Sequence, residues 1–171
     1  MTSILKVSEI QDPTNGNSAL TVDTSGRILT PANPKFSLYL ATGPTGNYTS
    51  NSNVPFDTID FNIGNCVALS SNVATFTAPI TGYYQFNLMV SFGNINAASY
   101  YSTYLVKSGV ATSNETYRFI ESPASGVYQT GSTAQLIYVT ANQTLNPIIA
   151  ILGDTSVQIR PGTRFNGFLV G

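Results

Sequence analysis

Few side chains in this 171-residue sequence are equipped for chemistry, and the missing types narrow the possibilities as much as those present. There is no histidine, which removes the usual general base and the commonest metal ligand. Cys66 is the single cysteine, so it has no imidazole to activate it and no partner for a disulfide within the chain. Asp57 and Asp60 form a carboxylate pair of the kind used in glycoside hydrolysis or calcium binding. The segment Asp57-Thr58-Ile59-Asp60 lacks the ligand density of a calcium loop, however, so turn capping is the expected role and no metal or cofactor is expected. Neither Walker nor dinucleotide-binding glycine patterns occur. These residues describe a protein that is not an enzyme and that works through its surface.

Recognition chemistry is better represented than catalysis. Tyr48, Asn51, Asn94, Asn96, Tyr128, Asp154 and Arg160 fall in polar stretches rich in Gly, Ser, Thr and Asn, at 42–53, 93–98, 122–131 and 153–162. Asn, Tyr and Arg hydrogen-bond to and stack on sugar rings, which makes these seven candidate ligand contacts. Each is equally readable as a solvated turn residue. Only 9% of residues are charged and the net charge is −1, without a Lys/Arg cluster, so neither nucleic acid nor an anionic membrane is an expected partner. The opening MTSILKV has no long apolar run or cleavage-site pattern, so neither a secretory signal nor membrane insertion is expected.

These loops need a scaffold, and its centre is the stretch FTAPITGYYQFNLMVSF at 76–92. From Gly82 it alternates: Tyr84, Phe86, Leu88, Val90 and Phe92 share one face, and Tyr83, Gln85, Asn87, Met89 and Ser91 the other. The first face is core. The second carries Tyr83 and Met89, too apolar for a face that meets only water. Further strands are expected at 36–41, 59–63, 73–78, 100–107, 116–121, 133–140, 146–152 and 163–170, with 141–143 as the bend of a hairpin. Short strands at even spacing, with no helix, predict an all-β sandwich or barrel, a jelly roll being the form with two sheets and Greek-key returns. Residues 1–34 differ, with sparse apolar runs at Ile4, Leu5, Val7 and Ile10 and at Leu20 and Val22 around turn signals. Such strands are too short to form a core alone. Three copies wound about one axis, a receiving partner surface, or a disordered leader are the alternatives.

Phe76, Gly82, Tyr84 and Phe86 in FTAPITGYYQF, with Phe165-Asn166-Gly167-Phe168-Leu169 near the end, resemble the signature of the C1q globular head and the wider C1q/tumour-necrosis-factor jelly-roll superfamily. The resemblance covers 35–171 and implies a C1q/TNF-like sandwich of two antiparallel sheets in a homotrimer. The outward face of one sheet would then meet sister subunits, with Tyr83, Met89, Tyr100, Tyr104, Phe168 and Val170 as interface candidates. It also implies that the first and last strands of the head lie side by side, with the four polar stretches at the opposite end. In the leader, Ser3-Ile4-Leu5-Lys6-Val7, Ile10-Gln11 and the run from Leu20 to Arg27 resemble the opening of structural proteins of tailed phages of marine and freshwater bacteria, cyanophages among them. That likeness implies a virion protein whose segment 1–34 anchors it to other virion proteins through Ile4, Leu5, Val7, Ile10, Leu20 and Val22, and whose head is a fibre tip binding a host glycan or protein, or a capsid decoration. The competing reading is a soluble C1q-like recognition module of cellular origin.

Overall fold

The computed structural model describes residues 7–11, 13, 14, 16, 18–43, 46–49, 51–97, 99–108, 110, 111, 120, 121 and 126–170, and among these there is no helix. The chain divides into two compact units, Met1–Asn33 and Pro34–Gly171. In the first, β1 (Glu9–Gln11), β2 (Ser18–Val22) and β3 (Ile28–Leu29) form a three-stranded antiparallel meander. Asp23 holds the β2–β3 turn: its carboxylate accepts from the backbone N–H groups of Ser25 and Arg27 and from the Arg27 guanidinium at 2.6 Å. The meander buries little, since Val7, Ile10, Val22, Ile28 and Leu29 are exposed and Leu20 is half-buried. Ile4 and Leu5 lie outside the described residues.

The second unit is a sandwich of two antiparallel sheets. One contains β4 (Lys35–Tyr39), β6 (Thr58–Ile63), β9 (Gly82–Ile95), β13 (Val127–Val139) and β16 (Arg164–Leu169) in the order β13-β9-β16-β4-β6, with β15 (Gln158–Ile159) also pairing with β9. The other contains β7 (Val67–Ser70), β8 (Val73–Thr77), β10 (Tyr100–Lys107), β11 (Val110–Ala111) and β14 (Thr144–Leu152) in the order β11-β10-β14-β8-β7. Two short strands join that second sheet, β5 (Ser52–Asn53) on β14 and β12 (Ile120–Glu121) on β10. Successive long strands alternate between sheets, which is the Greek-key return of a jelly roll. β4 and β16 pair with Lys35 opposite Phe168, so the first and last strands of the head lie side by side.

β9 is the organising strand, and its alternation sets the core. Tyr84, Phe86, Leu88, Val90 and Phe92 are each at most 1% exposed. Across the gap, Phe76 of β8 meets Phe86 edge-on at 4.9 Å between centroids and Tyr84 at 5.1 Å, while Phe36 of β4 meets Phe165 of β16 at 4.9 Å. Burying one such ring contributes about 1.5–3 kcal/mol, and the edge-to-face geometry adds to it. Gly167 makes the ring cluster possible. It lies between Phe36 and Phe86 in the ladder, and a Cβ there would stand 2.8 Å from both rings and 3.1 Å from the Gln85 carbonyl. Gly167→Ala is therefore expected to cost roughly 1–3 kcal/mol through overpacking. Thermal unfolding followed by circular dichroism should show a Tm lower by about 3–10 °C; an unchanged Tm would mean that the rings move aside freely.

Three expectations fail against this topology, and one strand, β7, was not expected. The bend at 141–143 does not close a hairpin, because β13 pairs with β9 while β14 pairs with β10 and β8; the chain crosses from one sheet to the other there. Periodicity names the face of a strand and not its partner, and this crossing is fixed by Asn142 N–H donating to the Ala78 carbonyl and Ala141 N–H to the Thr81 hydroxyl. The polar stretch at 122–131 contains the start of β13 from Val127, since a long β9 supplies pairing for residues with weak strand propensity. β9 likewise continues to Ile95 instead of ending before Gly93, because β13 and β15 pair along its length. β7 forms a hairpin with β8 around Ser71 and Asn72, whose φ angles of 48° and 65° are those of a tight two-residue turn. Of the strand expected at 116–121, only β12 falls among the described residues.

Candidate functional site

The outward face of the β13-β9-β16-β4-β6 sheet is apolar at its margins and polar through its middle. Alternation on β9 turns Tyr83, Gln85, Asn87 and Met89 outward, and the register sets Tyr138, Leu136 and Ala134 of β13 beside the first three. On the other side Phe168, Asn166 and Arg164 of β16 stand opposite Gln85, Asn87 and Met89. Tyr83 and Tyr138 are 52% and 49% exposed with ring centroids 5.2 Å apart, and Leu136 is 58% exposed. Val170 joins this edge through its N–H, which donates to the Tyr83 carbonyl, and Phe61 and Ile63 of β6 extend the apolar margin past β4. Between these margins Asn87 donates to the Asn166 carboxamide at 3.0 Å, and Gln85 to the Phe86 carbonyl at 3.0 Å. Two shallow concavities flank Asn166. One, of about 310 Å³, is lined by Asn87, Met89, Ser132, Ala134 and Arg164; the other, of about 350 Å³, by Lys35, Ser37, Phe61 and Phe168.

Of the six interface candidates, Tyr83, Met89, Phe168 and Val170 share this face. Tyr100 and Tyr104 do not, because β10 belongs to the other sheet. Tyr104 is 6% exposed: it packs with Ile148 and Ala150, and its hydroxyl donates to the Asn51 side chain at 2.8 Å. Its ring is covered within the chain. The sequence reading missed Leu136 and Tyr138 because residues 133–139 are mostly apolar or small on both faces, so the outward set does not stand out.

The loop candidates gather at one end of the head. Tyr48 N–H donates to the Val157 carbonyl, the Asn94 amide to the Ser156 carbonyl, and Asn96 to Asp154, while Gly126 N–H donates to the Ile95 carbonyl. Asn51 stands apart, turned to Tyr104. Most of these side chains are consumed by the fold. Asp154, 7% exposed, accepts from the Tyr101 hydroxyl at 2.7 Å, from Asn96 N–H and Nδ2 at 2.8 and 3.0 Å, and from Ser156 N–H and Oγ at 2.8 and 3.0 Å. Burial alone would raise its pKa, but the donors from Ser156, Tyr101 and Asn96 outweigh that and hold it below the ordinary carboxylate value. Asp154 is thus a structural acceptor and not a free ligand contact. Tyr48 is half-buried against the core. Tyr128 and Arg160 remain: Tyr128 is 65% exposed, and the Arg160 guanidinium carbon lies 4.7 Å from its ring centroid.

Of the Asp57 and Asp60 pair, Asp57 is used by the fold. The Asp57 carboxylate accepts from Ala41 N–H, Thr42 N–H, Thr42 Oγ1 and Thr58 Oγ1 at 2.6–3.0 Å, closing the turn after β4. Desolvation opposes its charge, yet these donors depress its pKa far below the usual range. Among the described residues no group of acidic, His or Cys side chains is arranged to hold a metal ion.

This architecture has counterparts among solved structures. At a TM-score of 0.54 the chain superposes on the globular domain of zebrafish complement 1qA, with 14% sequence identity over 81% of this chain and 98% of that one. Murine APRIL matches equally well, with a TM-score of 0.54, 13% identity, and coverage of 81% of this chain and 99% of that one. The head is a C1q/TNF-like jelly roll. No family model matches the chain, and no curated protein matches it in sequence. At such identities the C1q/TNF likeness is one of fold, and this jelly roll's chemistry has to be read from its own surface.

Proposed function

We propose that the protein is a homotrimeric structural component of a tailed-phage particle. Residues 1–34 join it to other virion proteins, and the head faces outward as a fibre or appendage tip that binds a host glycan or protein, or as a capsid decoration. The observation that carries self-association is the outward sheet face with Tyr83, Leu136, Tyr138, Met89, Phe168 and Val170 uncovered in the single chain. A patch of that kind on a small head marks a contact surface, and an obligate oligomer interface commonly buries about 2,000 Å² or more. The central amides of Gln85, Asn87 and Asn166 would fix one arrangement of subunits, since the polar atoms they do not use within the sheet must find partners once covered. The phage assignment rests on the leader's resemblance and on its poorly buried meander, which needs a surface to complete it.

Light scattering on the purified protein at micromolar concentration is expected to give three times the chain mass; a monomer there would overturn the self-association reading. Removing residues 1–33 is expected to leave the head folded and trimeric while abolishing its recovery with particles. Recovery of the truncated protein with particles would remove the anchoring role. A trimer with no association to particles, with or without the leader, would support the soluble recognition module instead.

A further inference from the structure

We infer that Tyr128 and Arg160 form a binding site for the carboxylate of an acidic sugar, a proposal that rests on the loop end of the head being the host-facing end. The pair is built by the backbone. Tyr128 lies at a bulge: Val127 and Gln129 pair with Ile95 and Phe92, so the single residue Tyr128 opposes two residues of β9, Gly93 and Asn94. Asn94 takes a φ of 55° to accommodate the extra residue, and its side-chain amide is tied to the Ser156 carbonyl at 3.0 Å. Arg160 arrives from the opposite side of β9, directly after β15, with its N–H donating to the Ser91 carbonyl at 2.9 Å. The two side chains meet above Gly93. A Cβ at Gly93 would lie 2.4 Å from Arg160 Cδ and 3.1 Å from both Arg160 Cγ and Tyr128 Cε1, so only glycine lets the arginine stem and the ring cross the strand there.

The chemistry follows from what each group has left to offer. The neighbouring polar groups Asn94, Asn96 and Asp154 are bonded within the fold, and among the described residues the only ion pair is Arg27–Asp23, so no described carboxylate neutralises Arg160. With its guanidinium carbon 4.7 Å over the ring centroid, Arg160 still has N–H donors to offer a planar anion, which a carboxylate matches in bidentate geometry. Tyr128 is 65% exposed beside that cation and supplies an aromatic surface for the C–H face of a pyranose. A cation and an open ring side by side select a sugar that carries its own carboxylate, as a uronic acid does. A phosphate ion would use the cation and leave the ring idle.

The test is calorimetric titration of the full chain with tri-galacturonate, its neutral methyl ester and inorganic phosphate, alongside adsorption of the labelled protein to host cells. Tri-galacturonate is expected to bind and the ester to bind about tenfold more weakly or worse. Arg160→Gln is expected to lose about tenfold to hundredfold in affinity for the acid and nothing for the ester, and Tyr128→Ala to lose affinity for both, each with an unchanged Tm. Equal binding of acid and ester, or phosphate binding as tight as the acid, would overturn the acidic-sugar site while leaving a host-facing head intact. No saccharide binding with cell adsorption retained would also overturn it and point to a protein receptor. Loss of both would take the host-binding reading down as well.

Discussion

Tyr83→Glu combined with Tyr138→Glu is expected to convert the proposed trimer to a monomer at micromolar concentration without unfolding the head. Both rings are about half exposed in the single chain and touch each other at 5.2 Å between centroids, so neither substitution empties the protomer core. In the proposed trimer each ring, already half-buried in the single chain, would contribute about half of the 1.5–3 kcal/mol of full burial, and the loss would recur in every subunit. A glutamate placed at a dry contact adds the cost of burying an unpaired charge. Since 1.4 kcal/mol is tenfold in an equilibrium constant, the combined effect exceeds about four orders of magnitude. Light scattering measures the mass and near-ultraviolet circular dichroism the packing of the head. Leu152→Glu, on the other sheet and 62% exposed, serves as the control and is expected to stay trimeric. If the double variant remains a trimer while Leu152→Glu dissociates, the contact lies on the β10–β14 side.

The second large effect is expected at Asp154. Asp154→Ala strips the charged acceptor from Tyr101, Asn96 and Ser156 together, leaving the buried Tyr101 hydroxyl only a long 3.5 Å contact to the Asn96 carbonyl and Asn96 N–H only the Tyr101 oxygen at 3.1 Å. Hydrogen bonds to a charged acceptor contribute about 1.5–3 kcal/mol each, and a loss of roughly 3–5 kcal/mol in total is expected. For a domain of this size that lowers Tm by about 10–20 °C. Burial, together with the carboxylate, pushes the Tyr101 phenol up, so the ring remains a donor at all ordinary pH values. The same carboxylate gives stability a pH dependence. Its folded pKa lies below the unfolded one, so as pH falls the unfolded chain takes up its proton first. The contribution is complete above about pH 5 and is withdrawn from around pH 4 downward, through the folded value. Denaturant titrations at pH 7 and pH 3 should therefore differ less for Asp154→Ala than for the native protein. An equal difference in both would show that other carboxylates carry the acid sensitivity.

Much of the head was legible without coordinates, and the reasons are local. The two faces of β9 follow from strict alternation over residues 82–92, and every large residue on its inward face there is buried. The capping role expected for Asp57 needed only an aspartate placed to reach the turn after β4. The resemblance carried by Phe76, Tyr84, Phe86 and Phe165 led to the right sandwich because those rings form the central cluster, where few other side chains fit.

Partnership between distant segments was not legible. Tyr83 and Tyr104 have the same pattern signature, an aromatic on the polar side of an alternating strand, yet one is open and the other packs against Ile148 and is only 6% exposed. Asp154 and Arg160 looked alike as polar loop residues. The fold uses the first as a buried acceptor and lays the second over a glycine against Tyr128. Composition and period 2 determined that this chain is of the all-β class, lacks the groups for acid–base catalysis by histidine, and has one strand too apolar to face water on either side. Which sheet each strand joins, and which polar groups are left over to meet something else, was decided only in three dimensions. Backbone hydrogen bonds are alike for every pairing, and the choice among them is made by side chains far apart in the sequence.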